Sequence, residues 1–422
     1  MSIRTLLYGL ARRVFWMMPA VLRKELHGFR HALVRWARGS ANPGRHLPGS
    51  MGWIEFRQGP LAKSDYRLIF IFEANLDWSI TLYQRPHHLA LALGRQGCLV
   101  IYKTTGDDVS GFWPVNDNVW LANDDSLAAL TDVVRCFYST SLFATGKELL
   151  AAQRFGFTIY EYIDHIDAAI SGGRGSLHRL KDLKATAFTH ADLVVSSAKI
   201  LFDEANLECG ARRSLYLPNG VDIHHYAKEK FQSISIIDEL SDFRGRYNEI
   251  VGYFGAIAPW LWFELIEEVC DLLPGKGFVF IGPDYSGCVP LLPRRQNVLY
   301  LGAIGYDDLP AHADLFDVCF IPFVKGEVAR ATSPLKLFEY FALEKPVVVT
   351  GDMLECTAFD EVLAGNNANE IVECIEEALL RRKDSFFISR LRSLAEANSW
   401  DIRAKVYINR IESLQSQAAD HC

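Results

Sequence analysis

Ser333-Pro334-Leu335-Lys336-Leu337-Phe338-Glu339-Tyr340-Phe341-Ala342-Leu343, followed by Glu344-Lys345-Pro346-Val347-Val348-Val349, reads as a helix running into a buried strand. Ser333 suits the helix cap, and Pro334 suits the first helical position, where a backbone N–H is not needed. The start of such a helix offers unpaired N–H groups and the positive end of the dipole. Lys336 adds an ammonium in the same turn, and together these favour a phosphate. Glu339 lies three residues on, along the same face. Its carboxylate can accept two hydrogen bonds from vicinal hydroxyls, so the pair suits a nucleoside diphosphate with its ribose. The same spacing also describes an ordinary Lys/Glu pair on an amphipathic surface helix. Context separates the two readings: the apolar run Asp317-Val318-Cys319-Phe320-Ile321-Pro322-Phe323 precedes the helix, and residues 346–350 follow it as another. A strand–loop–helix–strand unit places the helix start at the carboxyl edge of a parallel sheet, where open α/β sheets bind ligands.

Working outward, strand-like runs at 250–255, 278–281, 298–301, 318–321 and 346–349 form one series, with helical stretches between them. An earlier series occupies 68–72, 99–102, 133–138, 158–163 and 193–196, separated by helices at 86–95, 142–154 and 177–189. Alternation of this kind implies parallel sheets covered on both faces. A chain of 422 residues suits two domains of roughly 150–200 residues each. The expected architecture is therefore α/β, two doubly wound Rossmann-like domains facing a cleft, with an N-terminal helical extension. Residues 1–60 are read as arm and linker, 61–225 as the first domain, 226–398 as the second, and 399–422 as a helix packing back on the first.

The arm differs in charge from the rest. Residues 1–50 hold nine Lys/Arg against Glu25, a balance of +8; the remainder has 35 basic and 50 acidic residues, or -15. Apolar and basic residues alternate in the arm at helical spacing, so two short helices can lie on an anionic membrane surface through residues 1–40. Packing against the protein itself or a partner is the other reading. No apolar run reaches the ~20 residues needed to span a bilayer, and Pro19 with its flanking charges argues against a cleaved leader. An acidic body without a recognised binding motif argues against nucleic acid. The nine cysteines are scattered, odd in number and without a C-x-x-C pair. They read as reduced thiols in a cytoplasmic protein.

Further signals stand in a fixed order: Leu217-Pro218-Asn219-Gly220-Val221-Asp222, then Val251-Gly252-Tyr253-Phe254-Gly255, Phe280-Ile281-Gly282-Pro283, Asn297-Val298-Leu299-Tyr300-Leu301-Gly302, and the Ser333 helix. Together they resemble the GT-B fold glycosyltransferases of the bacterial "glycosyl transferases group 1" family, over residues 67–415 and most clearly from 215 to 350. The resemblance implies a hexosyltransferase whose second domain binds a nucleotide sugar, UDP-linked by family analogy, and whose first domain holds the acceptor. It implies that Lys336 meets the pyrophosphate and Glu339 the ribose, with Ser333, Pro334 and Leu335 at the helix start. Gly302, Ala303 and Ile304 would face the base; Gly255, Gly282 and Asn219-Gly220 would line the cleft. In the first domain Asp77, Trp78, Arg85 and His88 fall in the acceptor loop, Trp78 as a stacking platform and Arg85 as an anion ligand. Asp164 and His165, ending a strand at the cleft edge, would contact the transferred sugar. No cofactor or metal is expected, since Asp164, His165 and Asp167 share one short segment without a matching cluster elsewhere.

The sequence departs from the family pattern in two places. The first glutamate of E-x7-E is replaced by Ala331, with Glu327 out of register, and the Arg/Lys pair expected after Gly255 is replaced by Ala256-Ile257-Ala258-Pro259-Trp260. Lys336 then bears more of the diphosphate charge, with Lys325 and Arg330 nearby. The family is mostly retaining, and these departures put retention in doubt; inversion would need a carboxylate base such as Asp77, whereas in a retaining reaction the leaving phosphate itself could accept the proton. The expected function is transfer of sugar to a glycan or lipid-linked acceptor in cell-surface polysaccharide assembly, on the cytoplasmic face of a membrane. A GT-B-fold sugar-nucleotide epimerase and a catalytically degenerate nucleotide-sugar-binding scaffold are the alternatives.

Overall fold

The computed structural model describes residues 51–419, apart from 74–75, 81, 105–110, 142–143 and 167–173. The basic arm, residues 1–50, lies outside the described residues, as do Asp167 and Cys422. The first sheet is built from β1 (Ile69–Glu73), β2 (Leu99–Lys103), β3 (Gly111–Pro114), β4 (Val119–Asn123), β5 (Val133–Tyr138), β6 (Gly156–Tyr162), β7 (Leu193–Ser196) and β8 (Ser214–Tyr216). Their order is β3-β4-β2-β1-β5-β6-β7-β8, and every neighbouring pair is parallel except β3 with β4. The second sheet joins β9 (Ile250–Phe254), β10 (Gly277–Ile281), β11 (Val298–Tyr300), β12 (Val318–Ile321), β13 (Val347–Thr350) and β14 (Leu363–Gly365) in the order β11-β10-β9-β12-β13-β14, all parallel. The inner strands β5, β9, β10, β12 and β13 are buried along their whole length. Helices cover both faces, so these strands read as continuous apolar runs. Strand β3 pairs antiparallel, and β3, β4, β8 and β14 extend the two sheets beyond the runs visible in the sequence.

Strand order reverses between β1 and β5 in the first sheet, and between β9 and β12 in the second. Each reversal splays the following loops apart and opens a crevice at the carboxyl ends of the strands. The chain crosses between the sheets twice, side by side. Val221 pairs with the segment at 398–400, donating to the Asn398 carbonyl (3.1 Å) and accepting from the Trp400 amide (3.0 Å). Gly220 lies here because an added Cβ would stand 2.5 Å from the Asn398 carbonyl oxygen. The closing helix, Trp400–Ala419, inserts Trp400, Tyr407, Ile408 and Ile411 into the same core as Phe70, Phe72 and Tyr138 of the first sheet.

Residues 51–60, read from the sequence as part of the arm, pack on the first sheet instead. Phe56 is fully buried, with its ring 4.0 Å from Phe112 and nearly parallel to it. Met51 pairs with Phe112 through backbone hydrogen bonds. The Pro/Gly-rich stretch ends at residue 50, and the aromatic residues after it belong to the β3–β4 face.

Candidate functional site

The helix that opened the sequence reading, here α2 after α1 (Arg85–Arg95), spans Leu335–Ala342 between β12 and β13. Its N-cap position is Pro334, not Ser333, and no side chain caps it. The Ser333 hydroxyl instead accepts from the Asn219 amide (3.2 Å), while the Asn219 side-chain amide donates to the Ser333 carbonyl (2.6 Å). Ser333 therefore ties the interdomain crossover to the loop before α2. The first amides of α2 have no intrahelical acceptor and point toward the carboxyl edge of the sheet.

A cavity of about 370 Å³ lies between the domains at this edge. The second domain contributes Gly255, Ser333, Pro334, Leu335, Lys336 and Glu339 to its wall, and the first contributes Arg85 and Asp164. The Lys336 ammonium lies 5.2 Å from the Tyr253 ring centroid and 5.4 Å from that of Phe323. Among the described residues it forms no ion pair, and burial lowers it to about 8 against the opposing pull of Glu339. Glu339 is 8% exposed. Burial raises it to about 7, opposed by the neighbouring Tyr226 hydroxyl and Lys336. The cavity wall thus holds a cation and a carboxylate partly desolvated, a state that a bound polar ligand relieves.

Gly255 has φ +141°, and an added Cβ would meet the Lys336 Cε at 2.8 Å, so glycine leaves room for the lysine. Gly282 sits one layer below. A Cβ there would fall 1.8 Å from the Gly255 carbonyl oxygen, and the Gly282 amide donates to the Gly302 carbonyl (2.7 Å). Gly282 and Gly302 therefore stack the loops after β9, β10 and β11 without lining the cavity. Ala303 is exposed and Ile304 buried, neither lining it. Tyr306, which had no signal in the sequence, reaches the cavity from the same loop. Its ring stacks on Tyr83 (4.4 Å) and His225 (3.8 Å), joining the first domain to the second. Tyr253, Trp260 and Phe323 are further aromatic wall residues. They stand at or just after strand ends, where apolar side chains read from sequence as core.

Several first-domain residues occupy other places. Trp78 is 7% exposed, in aromatic contact with Tyr83, His87 and Tyr102, so it is core and presents no free face to a sugar. His88 is buried and stacks on Trp400 at 5.6 Å; burial lowers it to about 3, so it is neutral. Asp77 lies off the cavity, its carbonyl within 3.1 Å of the His87 Nε2. The Gln84 amide donates to His87 Nδ1 (3.2 Å), so the ring carries its proton on Nε2 and bonds the Asp77 carbonyl. His165 also lies outside the wall. Arg85 borders the cavity but is 2% exposed and occupied, donating to Glu161 (2.7 Å), the Leu217 carbonyl (2.9 Å) and Asn219 (3.1 Å). Arg330 pairs with Asp352 and Glu327, and Lys325 lies over the Trp262 ring; neither borders the cavity. Ala331, where the family pattern has a glutamate, is 3% exposed and packs in the apolar cluster of the first domain with Phe137 and Ala198. A carboxylate there would be buried among apolar atoms at a cost of several kcal/mol. Among the described residues no group of three or more His, Cys, Asp or Glu is placed to hold a metal.

No family model matches the chain. By sequence it is 27% identical over 257 residues to the Bacillus subtilis (strain 168) protein named "Putative teichuronic acid biosynthesis glycosyltransferase TuaH", a match that takes in 58% of this chain and 64% of that protein. The α,α-trehalose 6-phosphate synthase of Burkholderia multivorans superposes with a TM-score of 0.60 at 13% identity, covering 85% of this chain and 100% of the synthase. Anabaena Alr3699/HepE in complex with UDP-glucose does so with a TM-score of 0.56 at 14% identity, covering 83% and 100%. Two parallel sheets whose switch points face one cavity, a crossover that returns through a terminal helix, and these likenesses lead to one conclusion: the chain has the GT-B fold and is related in sequence to a bacterial glycosyltransferase.

Proposed function

We propose that the chain is a glycosyltransferase that moves a sugar from a nucleoside diphosphate sugar, UDP-linked, to a glycan or lipid-linked acceptor in cell-surface polysaccharide assembly. The observation that carries this reading is the placement of Lys336 and Glu339 on the first turns of α2, beneath Gly255, in one interdomain cavity. In this reading the diphosphate sits on the α2 amides and Lys336, which stabilise the negative charge that grows on the leaving group. Glu339 accepts hydrogen bonds from the ribose hydroxyls. The teichuronic acid biosynthesis named for the Bacillus relative and the UDP-glucose bound by Alr3699/HepE support the polysaccharide setting and the donor class. No helix among the described residues is long and apolar enough to cross a membrane. Peripheral attachment at a cytoplasmic membrane face through the basic arm belongs to the same proposal, as does a reaction without a metal.

The test is a binding panel of UDP, GDP, ADP and their sugar conjugates against wild type, Lys336→Ala and Glu339→Ala. One nucleotide should bind selectively, and each substitution should weaken it by at least tenfold, about 1.4 kcal/mol. Binding that ignores both substitutions would remove the donor from α2. Donor turnover without transfer to any acceptor would favour an epimerase.

A further inference from the structure

Three nearly parallel aromatic rings cross from one domain to the other at the edge of the cavity. Tyr306, in the loop after β11, has the His225 ring at 3.8 Å with an interplanar angle of 5°, and the Tyr83 ring at 4.4 Å with an angle of 8°. Two rings this close and this nearly parallel to a third cannot share one of its faces, so His225 covers one face of Tyr306 and Tyr83 the other. Tyr306 nonetheless borders the cavity. With both faces covered it meets a ligand by its edge, which carries the hydroxyl, and it is closed to a base or sugar as a stacking platform. Glu339 is the charge that acts most strongly on that hydroxyl, ahead of Asp222. His225 stands outside the cavity wall and holds Tyr306 twice. Besides the stack, its Nε2 lies 3.0 Å from the Tyr306 carbonyl oxygen, which can only accept, so Nε2 carries the proton and donates. Burial lowers the imidazole below its usual value, which keeps it neutral at neutral pH. The crossover in turn fixes His225. Its amide and that of Tyr226 donate to the Asp222 carbonyl (3.0 and 3.2 Å), and the Asp222 carboxylate pairs with Arg95 of α1 at 3.2 Å.

We propose that His225 is a positioning residue for the donor ribose: with Tyr83 it holds Tyr306 edge-on, so that the Tyr306 hydroxyl and the Glu339 carboxylate meet the ribose hydroxyls together. The inference rests on the glycosyl-transfer reading above. A phenol that donates and a carboxylate that accepts can each take one of two vicinal hydroxyls, or share one. Tyr83 stands just before α1 in the first domain. Ribose recognition by the second domain is therefore completed by a ring of the first, and the donor is held fully only where the domains are in contact.

The test titrates the full chain with UDP, GDP and ADP and with the 2′-deoxy form of each, for wild type, His225→Ala, His225→Phe, His225→Gln and Tyr306→Phe. Wild type should bind one ribonucleotide at least about tenfold more tightly than its deoxy form, because a site built around a hydroxyl rejects the analogue that lacks it. His225→Ala and Tyr306→Phe should each lower that preference to about threefold or less. Combined, they should lower it no further than the larger single effect, since both act through one hydroxyl. His225→Phe keeps the ring and loses the bond to the carbonyl, His225→Gln keeps a donor and loses the ring, and both should fall between. A purely structural role lowers the affinity for ribo and deoxy forms alike. An unchanged preference in His225→Ala therefore overturns the proposal and leaves the glycosyl-transfer reading standing. If that variant does not fold, an unchanged preference in His225→Phe, His225→Gln and Tyr306→Phe overturns it equally. A wild type that binds a nucleoside diphosphate without preferring ribose also removes the positioning role. Failure to bind any of the nucleotides would instead remove the glycosyl-transfer reading and this inference with it.

Discussion

Glu339 shows how a carboxylate buried at a cavity wall costs stability. Burial raises it from 4.5 to about 7. Between those values the folded protein keeps a proton that the unfolded chain releases. The stability tied to that proton is full below pH 4.5 and is lost as pH rises through about 7. Above pH 7 the buried charge therefore weakens the protein, by about 3 kcal/mol with its attraction to Lys336 already included. Glu339→Gln should raise urea stability at pH 8 by about 1–3 kcal/mol, leave it near wild type at pH 4.5, and abolish nucleotide binding. Equal or lower stability at pH 8 would show that the Lys336 attraction outweighs desolvation. Trp78 is the contrasting residue: its exposed-platform reading fails because three aromatic neighbours enclose it.

The strand ends of the second sheet form the floor of the site through stacked glycines. Gly255 and Gly282 have φ +141° and +149°, and a Cβ on either would strike a neighbour, Lys336 and Tyr253 in one case and the Gly255 carbonyl in the other. Gly302 has φ +74° but open space around it. Gly255→Ala should cost about 1–3 kcal/mol and weaken nucleotide binding by displacing Lys336. Gly282→Ala should cost more, since the obstacle is backbone. Gly302→Asn, which tolerates the left-handed conformation, should be nearly neutral. Denaturant midpoints across the three variants test the ranking; a neutral Gly282→Ala would contradict the stacking of β9, β10 and β11 loops. Helix α2 depends on that floor, because Gly255 admits the Lys336 side chain over the Tyr253 ring.

At the scale of the molecule, the domains are joined by buried polar ties as well as by the two crossovers. Arg85 links Glu161 of β6 to Asn219, and Asn219 continues to Ser333 before α2. Removing one member leaves a buried charge unpaired, whereas removing both does not. Arg85→Met should destabilise by about 3–5 kcal/mol, and Arg85→Met with Glu161→Leu should recover most of it. Calorimetry of the single and double variants decides; a single-variant loss under about 1 kcal/mol would mean the pair is solvated in solution. A second tie is the bond that Tyr216 donates to Glu355 at 2.6 Å across the domains. Together with Ala331 in the first-domain core, these contacts hold the facing walls at the distance the cavity requires.

Local pattern was enough for much of this. Continuous apolar runs mark strands buried on both faces, helical spacing marks the connections, and the runs at 133–138, 193–196 and 318–321 coincide with β5, β7 and β12 to the residue. The placement of Lys336, Glu339 and Gly255 at the cavity was legible because it follows from one helix start and one strand end, and that of Asp164 because it stands at another strand end. The edge strands β3 (Gly-Phe-Trp-Pro) and β14 (Leu-Ala-Gly) were not legible, since neither is a run of strong strand formers. The acceptor loop misled for a different reason. Trp78, His88 and Arg85 are residue types that serve equally in a core, a stack or a binding surface, and only tertiary contacts decide for burial: three aromatic neighbours around Trp78, Glu161 and Asn219 at Arg85, and Trp400 of the closing helix beneath His88. Tyr306 likewise enters the cavity only because the second domain brings it against Tyr83. The sequence by itself determined the two-domain α/β plan and the helix that opens at the carboxyl edge of the second sheet, both products of local periodicity and backbone chemistry. The tertiary structure alone decided which polar side chains remain open to the cavity, because that depends on contacts between segments 76 and 114 residues apart.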